Sequence, residues 1–187
     1  MKNELPERKH PRLKNFDYSM SGAYFVTVCT HGKRCLLSRI AAHNLAPAEE
    51  TEGLSPRDQL VYTTYGEIAE KQLLLLEGRY PHLKLGHYVI MPNHIHAILV
   101  IEGDVEPREN FDRGRRETSP RPTVMDIVCA YKSLVARECL ARGFAGKLFQ
   151  PSFFEHVIRN TEDYYETAKY ICANPSRWFH DKLYSPM

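Results

Sequence analysis

No apolar run in this chain approaches the ~20 residues needed to span a bilayer, and no signal-peptide pattern opens it. A cytoplasmic protein with no membrane partner is therefore expected. Its five cysteines (Cys29, Cys35, Cys129, Cys139, Cys172) are scattered without a Cys-x-x-Cys pair. That pattern excludes a disulfide framework and a cysteine zinc cluster, and leaves reduced, mostly core thiols. Excess charge of one sign is also lacking, since the net charge is only +2. The distribution is less even: residues 1–39 hold eight Lys or Arg against three acids. Much of this sits in Arg8-Lys9-His10-Pro11-Arg12-Leu13-Lys14, within a basic arm over residues 1–20. Such an arm can track a phosphate backbone or simply be a solvated terminus. What remains is ordinary: 187 residues, 43% hydrophobic and 26% charged, enough for one domain with a real core.

Ala23 to Thr30 is rich in β-branched and aromatic residues and is closed by His31-Gly32, a strand. Residues 38–60 show no sustained period, which predicts a mobile loop. Thr64-x-x-Glu67 offers a capping box for a helix whose apolar residues include Ile68, Ala69, Leu73 and Leu76. Two strands, Leu83 to Met91 and His94 to Ile101, flank Pro92-Asn93 as a hairpin. A regular two-residue loop pairs Met91 with His94 and His87 with Ile98. Residues 103–121, with five acids, five arginines and two prolines, predict a second mobile loop. Thr123-x-x-Asp126 caps a long helix with Ile127, Tyr131 and Val135 on its stripe and Lys132 and Arg137 off it. Phe149 to Ile158 reads as a strand broken by Pro151, and Asn160-x-x-Asp163 starts a helix that ends by Asn174-Pro175. This order suits an α+β fold: an antiparallel sheet with two helices on one face and the last helix on the other face or an edge.

Two stretches carry chemistry. In the strand from His94, alternation puts His94 and His96 on one face and Ile95, Ala97 and Leu99 on the other. Two imidazoles a strand-step apart make half of a divalent-metal site; they are equally two buried histidines with hydrogen-bond partners. In the last helix, Tyr164, Tyr165, Ala168, Ile171 and Cys172 fall on one side, with Tyr170 and Asn174 opposite and one turn apart. A helix docked through its apolar side leaves Tyr170 and Asn174 to face a cavity.

The run Met91-Pro92-Asn93-His94-Ile95-His96 resembles the His-hydrophobic-His motif of single-tyrosine HUH transposases. Leu148 to Asn160 is similar to their second landmark, and Tyr170-Ile171-Cys172-Ala173-Asn174-Pro175 resembles the catalytic helix of the REP-associated tyrosine transposases. Tyr24-Phe25-Val26-Thr27 fits the first strand, so the resemblance covers most of residues 20–179. It implies a ferredoxin-like α+β domain over the whole chain, cytoplasmic, bacterial and at the nucleoid when active. The implied activity is nicking and rejoining of hairpin-bearing (REP-like) single-stranded DNA through a 5′-phosphotyrosine. Tyr170 is the implied nucleophile; His94, His96 and Asn174 are the implied ligands of Mg2+ or Mn2+. His156 is a second-tier candidate, and Arg8, Lys9, Arg12, Lys14, Lys132 and Arg137 are candidate DNA contacts. The resemblance admits a monomer or a homodimer. A hairpin-binding relative without cleavage activity, and a phosphodiesterase that activates water, are the alternatives.

Overall fold

The computed structural model describes Tyr18 and residues 20–41, 60–103 and 122–185. The basic arm with Arg8, Lys9, Arg12 and Lys14, and most of the two expected loops, lie outside the described residues. In chain order the elements are β1 (Gly22–Cys29), β2 (Ser38–Ile40), β3 (Leu60–Tyr62), α1 (Thr64–Leu74), α2 (Leu76–Arg79), β4 (Leu83–Ile90), β5 (His94–Ile101), α3 (Val124–Ala141), β6 (Phe154–Ile158) and α4 (Thr161–Ala173). The main sheet runs β4-β5-β1-β6, antiparallel at every step, which is the ferredoxin-like order. The ends of the expected 38–60 loop instead pair as a small ribbon, β2 with β3.

Alternation along the two central strands divides the core. Tyr24, Val26 and Val28 of β1 and Ile95, Ala97, Leu99 and Ile101 of β5 face α1 and α3. That side is filled by Ile68, Leu73, Ile127, Tyr131 and Val135. Phe25 of β1 and Ile98 of β5 face the other way, with Ile171 of α4 and Trp178. Because both faces of β5 are covered, the strand reads as an almost unbroken apolar run. No helix among the described residues is long and apolar enough to cross a membrane.

Local chemistry fixes the ends. Thr123 and Asp126 form the expected reciprocal cap of α3, with Asp126 N donating to Thr123 Oγ1 (3.2 Å) and Thr123 N donating to Asp126 Oδ2 (2.9 Å). The cap of α1 falls one residue earlier than expected, at Thr63, whose Oγ1 accepts from Gly66 N at 3.2 Å. Glycine is required at 66, because a Cβ there would lie 2.0 Å from Leu37 O. The last strand starts at Phe154, not Phe149, since residues 150–152 form a turn before it. The Lys132 ammonium holds that turn, donating to the carbonyls of Gln150 (2.7 Å), Pro151 (2.9 Å) and Ser152 (3.4 Å).

The Pro92-Asn93 hairpin is closed by Met91 N donating to His94 O at 2.8 Å. Further along, β4 departs from a regular register. Tyr88 pairs with Ala97 but Leu85 pairs with Leu99, which leaves Gly86 and His87 as a bulge. Glycine suits position 86, because a Cβ there would lie 2.9 Å from the Tyr164 hydroxyl and 3.1 Å from Ile98 Cβ. His87 is exposed in this bulge and packs against the Tyr164 ring of α4 at 6.2 Å.

Candidate active site

The turn that opens β5 is bolted down before the histidines begin. Thr30 N donates to Asn93 O and Leu37 N to Pro92 O, both at 2.9 Å. From this fixed start, His94 and His96 project from the same face with ring centroids 4.5 Å apart. Both rings are buried.

His94 Nδ1 lies 2.8 Å from the Asn93 amide oxygen. An amide oxygen can only accept, so Nδ1 carries the proton and Nε2 presents its lone pair. The Asn93 NH2 is itself engaged, donating to Leu183 O (2.8 Å) and Lys33 O (3.3 Å), so the amide cannot turn. His94 Nε2 is buried and has no hydrogen-bond partner. His96 Nδ1 sits 2.9 Å from Thr27 Oγ1, directly across the β1–β5 ladder, and its Nε2 lies 3.4 Å from the Tyr170 hydroxyl. Burial holds both imidazoles neutral. It takes His94 down to about 4 against the opposing pull of the Asp181 charge, and pushes His96 well below its ordinary value, helped by His94. Neutral rings with fixed outer nitrogens are the form that binds metal.

Helix α4 supplies the other half. Asn160 caps it, accepting from Asp163 N at 2.8 Å, and Ala168 and Ile171 anchor it to the sheet face that bears the histidines. Tyr170 and Asn174 thus flank the docking stripe rather than oppose it. Tyr165, expected on the docking side, is exposed, because α4 meets the sheet on a narrower arc. The Tyr170 ring stands edge-on to Phe25 (6.1 Å) and 5.3 Å from His96, while 44% of the residue stays exposed. Burial of the phenol and then the Asp181 charge raise its pKa, so it is held as the protonated phenol. Asn174 is buried, donates to Asp181 Oδ2 at 3.0 Å, and leaves Oδ1 buried without a partner.

Asp181 is the member that sequence reasoning missed. The chain turns back after α4 through a single 3-10 turn, Trp178–His180, whose buried indole packs 6.0 Å from the His94 ring. This return places Asp181 Oδ2 3.5 Å from the Tyr170 hydroxyl. One ligand atom each from His94, His96 and Asp181 lies within 4.8 Å of the others. Nothing periodic marks an acid in this tail, so no sequence pattern announced it.

The remaining candidates lie elsewhere. His156 shares the sheet face, opposite Phe25, but its Nε2 pairs with Asp163 at 3.0 Å on the surface and does not join the cluster. Lys132 and the exposed Arg137 are on α3, across the sheet from the histidines. Tyr131, also on that side, is buried and donates to Ala69 O at 3.0 Å.

A divalent cation fits this donor set. Two neutral imidazoles, an amide oxygen and a carboxylate converge, and two of the buried acceptors, His94 Nε2 and Asn174 Oδ1, have no partner otherwise. Ligands of one ion, each about 2.0–2.3 Å away, come close to spanning the observed spread.

No protein-family model matches the chain. An uncharacterised protein of Haemophilus influenzae is 27% identical over 185 residues, covering 96% of this chain and 94% of that protein. The REP-associated tyrosine transposase of Escherichia coli is 29% identical over 120 residues, 64% of this chain and 59% of the transposase. The solved structure of a REP-associated tyrosine transposase bound to a REP hairpin matches the fold with a TM-score of 0.52 at 20% identity, over 89% of this chain and 74% of that one. The chain is thus similar to a REP-associated tyrosine transposase in sequence over part of its length, and shares the fold of one over most of it.

Proposed function

We propose that this protein is a transposase-type nuclease and strand transferase, with Tyr170 as nucleophile and single-stranded, hairpin-bearing DNA as substrate. The observation that carries the reading is the Tyr170 hydroxyl, 3.4 Å from His96 Nε2 and at the edge of a cluster with two buried, unpartnered acceptors. An accessible phenol beside buried acceptors without partners is of no use to the core. It is what attack on a phosphodiester requires.

His94 Nε2, His96 Nε2 and Asn174 Oδ1 would hold Mg2+ or Mn2+. When bound, the ion polarises the scissile phosphate and offsets the charge that develops on it. The chain's own residues do the rest. Asn93 and Thr27 fix the two imidazoles so that both Nε2 atoms face inward. Phe25 supports the ring of Tyr170 from the side. Asp181 holds the Asn174 amide through Oδ2 and is the carboxylate within reach of the Tyr170 proton. The phenol oxygen bonds to phosphorus and its proton passes to Asp181, while the bond from phosphorus to the 3′-oxygen breaks and that oxygen takes up a proton from water. The products are a 5′-phosphotyrosine and a free 3′-hydroxyl. The reverse attack by a 3′-hydroxyl rejoins a strand without ATP, because the phosphoester is retained.

Incubation with a hairpin-bearing single-stranded oligonucleotide and Mn2+ or Mg2+ should give a protein–DNA complex that survives denaturation. EDTA and Tyr170→Phe should each prevent it. A complex formed equally well by Tyr170→Phe would end the assignment. Cleavage that leaves no adduct would favour water activated at the same cluster.

A further inference from the structure

Lys33 is the one non-glycine residue with positive φ among the described residues, at 53°. Lysine is disfavoured in the left-handed region, where asparagine or glycine is at ease. The preceding Gly32 occupies the same region at φ 67 without strain. Two hydrogen bonds hold Lys33 there: its N donates to Thr30 O at 3.2 Å, and its carbonyl accepts from Asn93 Nδ2 at 3.3 Å. Asn93 is also the amide that fixes the His94 tautomer. The strained residue is therefore attached directly to the framework of the cluster. Strain of this kind persists where the surroundings over-determine it, and it gathers at functional sites.

The side chain of Lys33 is partly buried, and no carboxylate among the described residues forms an ion pair with it. Its positive charge reaches His94 and Cys29, which pairs with His94 across the ladder: burial raises the Cys29 thiol and the Lys33 charge opposes that rise, while burial lowers His94 and the same charge adds to the fall. Asp181 is negative and any phosphodiester entering the cluster is negative too. The attack of a phenol oxygen adds charge to the phosphoryl oxygens, and a lysine ammonium suits such oxygens as a compact point charge.

We propose that the Lys33 ammonium binds a non-bridging oxygen of the phosphodiester that Tyr170 attacks. This rests on the proposed function above. Uncharged asparagine would fit the backbone better but would leave that oxygen without its cation, so strain and charge are explained together.

The test compares wild type, Lys33→Met and Lys33→Asn on one hairpin-bearing single-stranded oligonucleotide with Mn2+. Both variants should form the adduct about 100-fold more slowly, the scale of losing one donor to a developing oxyanion. Each should lower the slope of log affinity against log salt by about one, the value of one phosphate contact. Lys33→Asn should melt no lower than wild type, because asparagine tolerates positive φ, and the Mn2+-induced rise in Tm should persist in both. Wild-type adduct rate and salt slope in both variants would overturn the inference. So would loss of the Mn2+ response, which would make Lys33 a support of the metal cluster. Absence of any adduct from the wild type would remove the Tyr170 reading, while the slope of Lys33→Met against wild type would still decide whether this lysine touches phosphate.

Discussion

The two faces of the sheet are built for different ends. The face under α1 and α3 is a continuous apolar core in which the hydroxyl of Tyr131 has a backbone partner. The face under α4 holds a smaller apolar cluster, of which Trp178 and Ile171 are the center, and beside it a group of polar side chains. Two of those, His94 and Asn174, keep a buried acceptor atom with no partner. A buried polar atom left unmatched costs about 1–3 kcal/mol. The first face holds the larger apolar cluster, and the second sets a smaller one beside these acceptors. The same strand, β5, serves both, with its odd-numbered residues in one and its even-numbered histidines in the other.

Several substitutions separate the faces. The largest expected effect is on the polar one: Asp181→Asn should slow adduct formation by about 10²–10⁴-fold, the usual worth of a positioned proton acceptor. Mn2+ affinity, followed by calorimetry, should change little if Asp181 takes the proton, and should collapse if it is instead a ligand. On the apolar face, Ile127→Ala should cost about 2–5 kcal/mol of stability by denaturant titration, through the cavity it leaves. Its adduct rate should be near wild type wherever the protein is folded.

Mn2+ itself should raise stability by about 2.7 kcal/mol at a concentration a hundred times its Kd. His94→Ala with His96→Ala should abolish that rise, and a rise that survived would place the ion elsewhere. The metal-free protein should weaken in acid. His94 has its pKa lowered from 6.5 to about 4 in the folded state, so between these values the unfolded chain binds more protons. Stability from this group is complete above 6.5 and is lost as pH falls toward 4, about 3 kcal/mol at one pKa unit per ~1.4 kcal/mol. A flat stability profile across that window would show that His94 is not held neutral. The smallest effect is expected for Thr27→Val, which removes the partner of His96 Nδ1 and should weaken metal binding about 10-fold.

Much of this was legible from the residues. Period-two alternation put His94 and His96 on one face, and the caps at Thr123 and Asn160 located α3 and α4, because these signals are local. Cross-strand and tail relations were not. Thr27 meets His96 only through the β1–β5 register, and the side chain that lies over Gly86 is Tyr164, from a distant helix. Asn93 read as a turn residue, although its side chain fixes an imidazole. Asp181 lies in a segment without periodicity, brought back by the burial of Trp178. Tyr165 misled because a helical wheel gives the apolar side but not how wide an arc the sheet covers.

The measurement that bears most directly on the account is the chemical location of the attached nucleotide. After reaction with a hairpin-bearing single strand and nuclease trimming, peptide mass spectrometry should find the phosphonucleotide on Tyr170, in the α4 peptide and nowhere else. Attachment at Tyr164, Tyr165 or Tyr184, or a cleaved strand with no modified tyrosine, would contradict it.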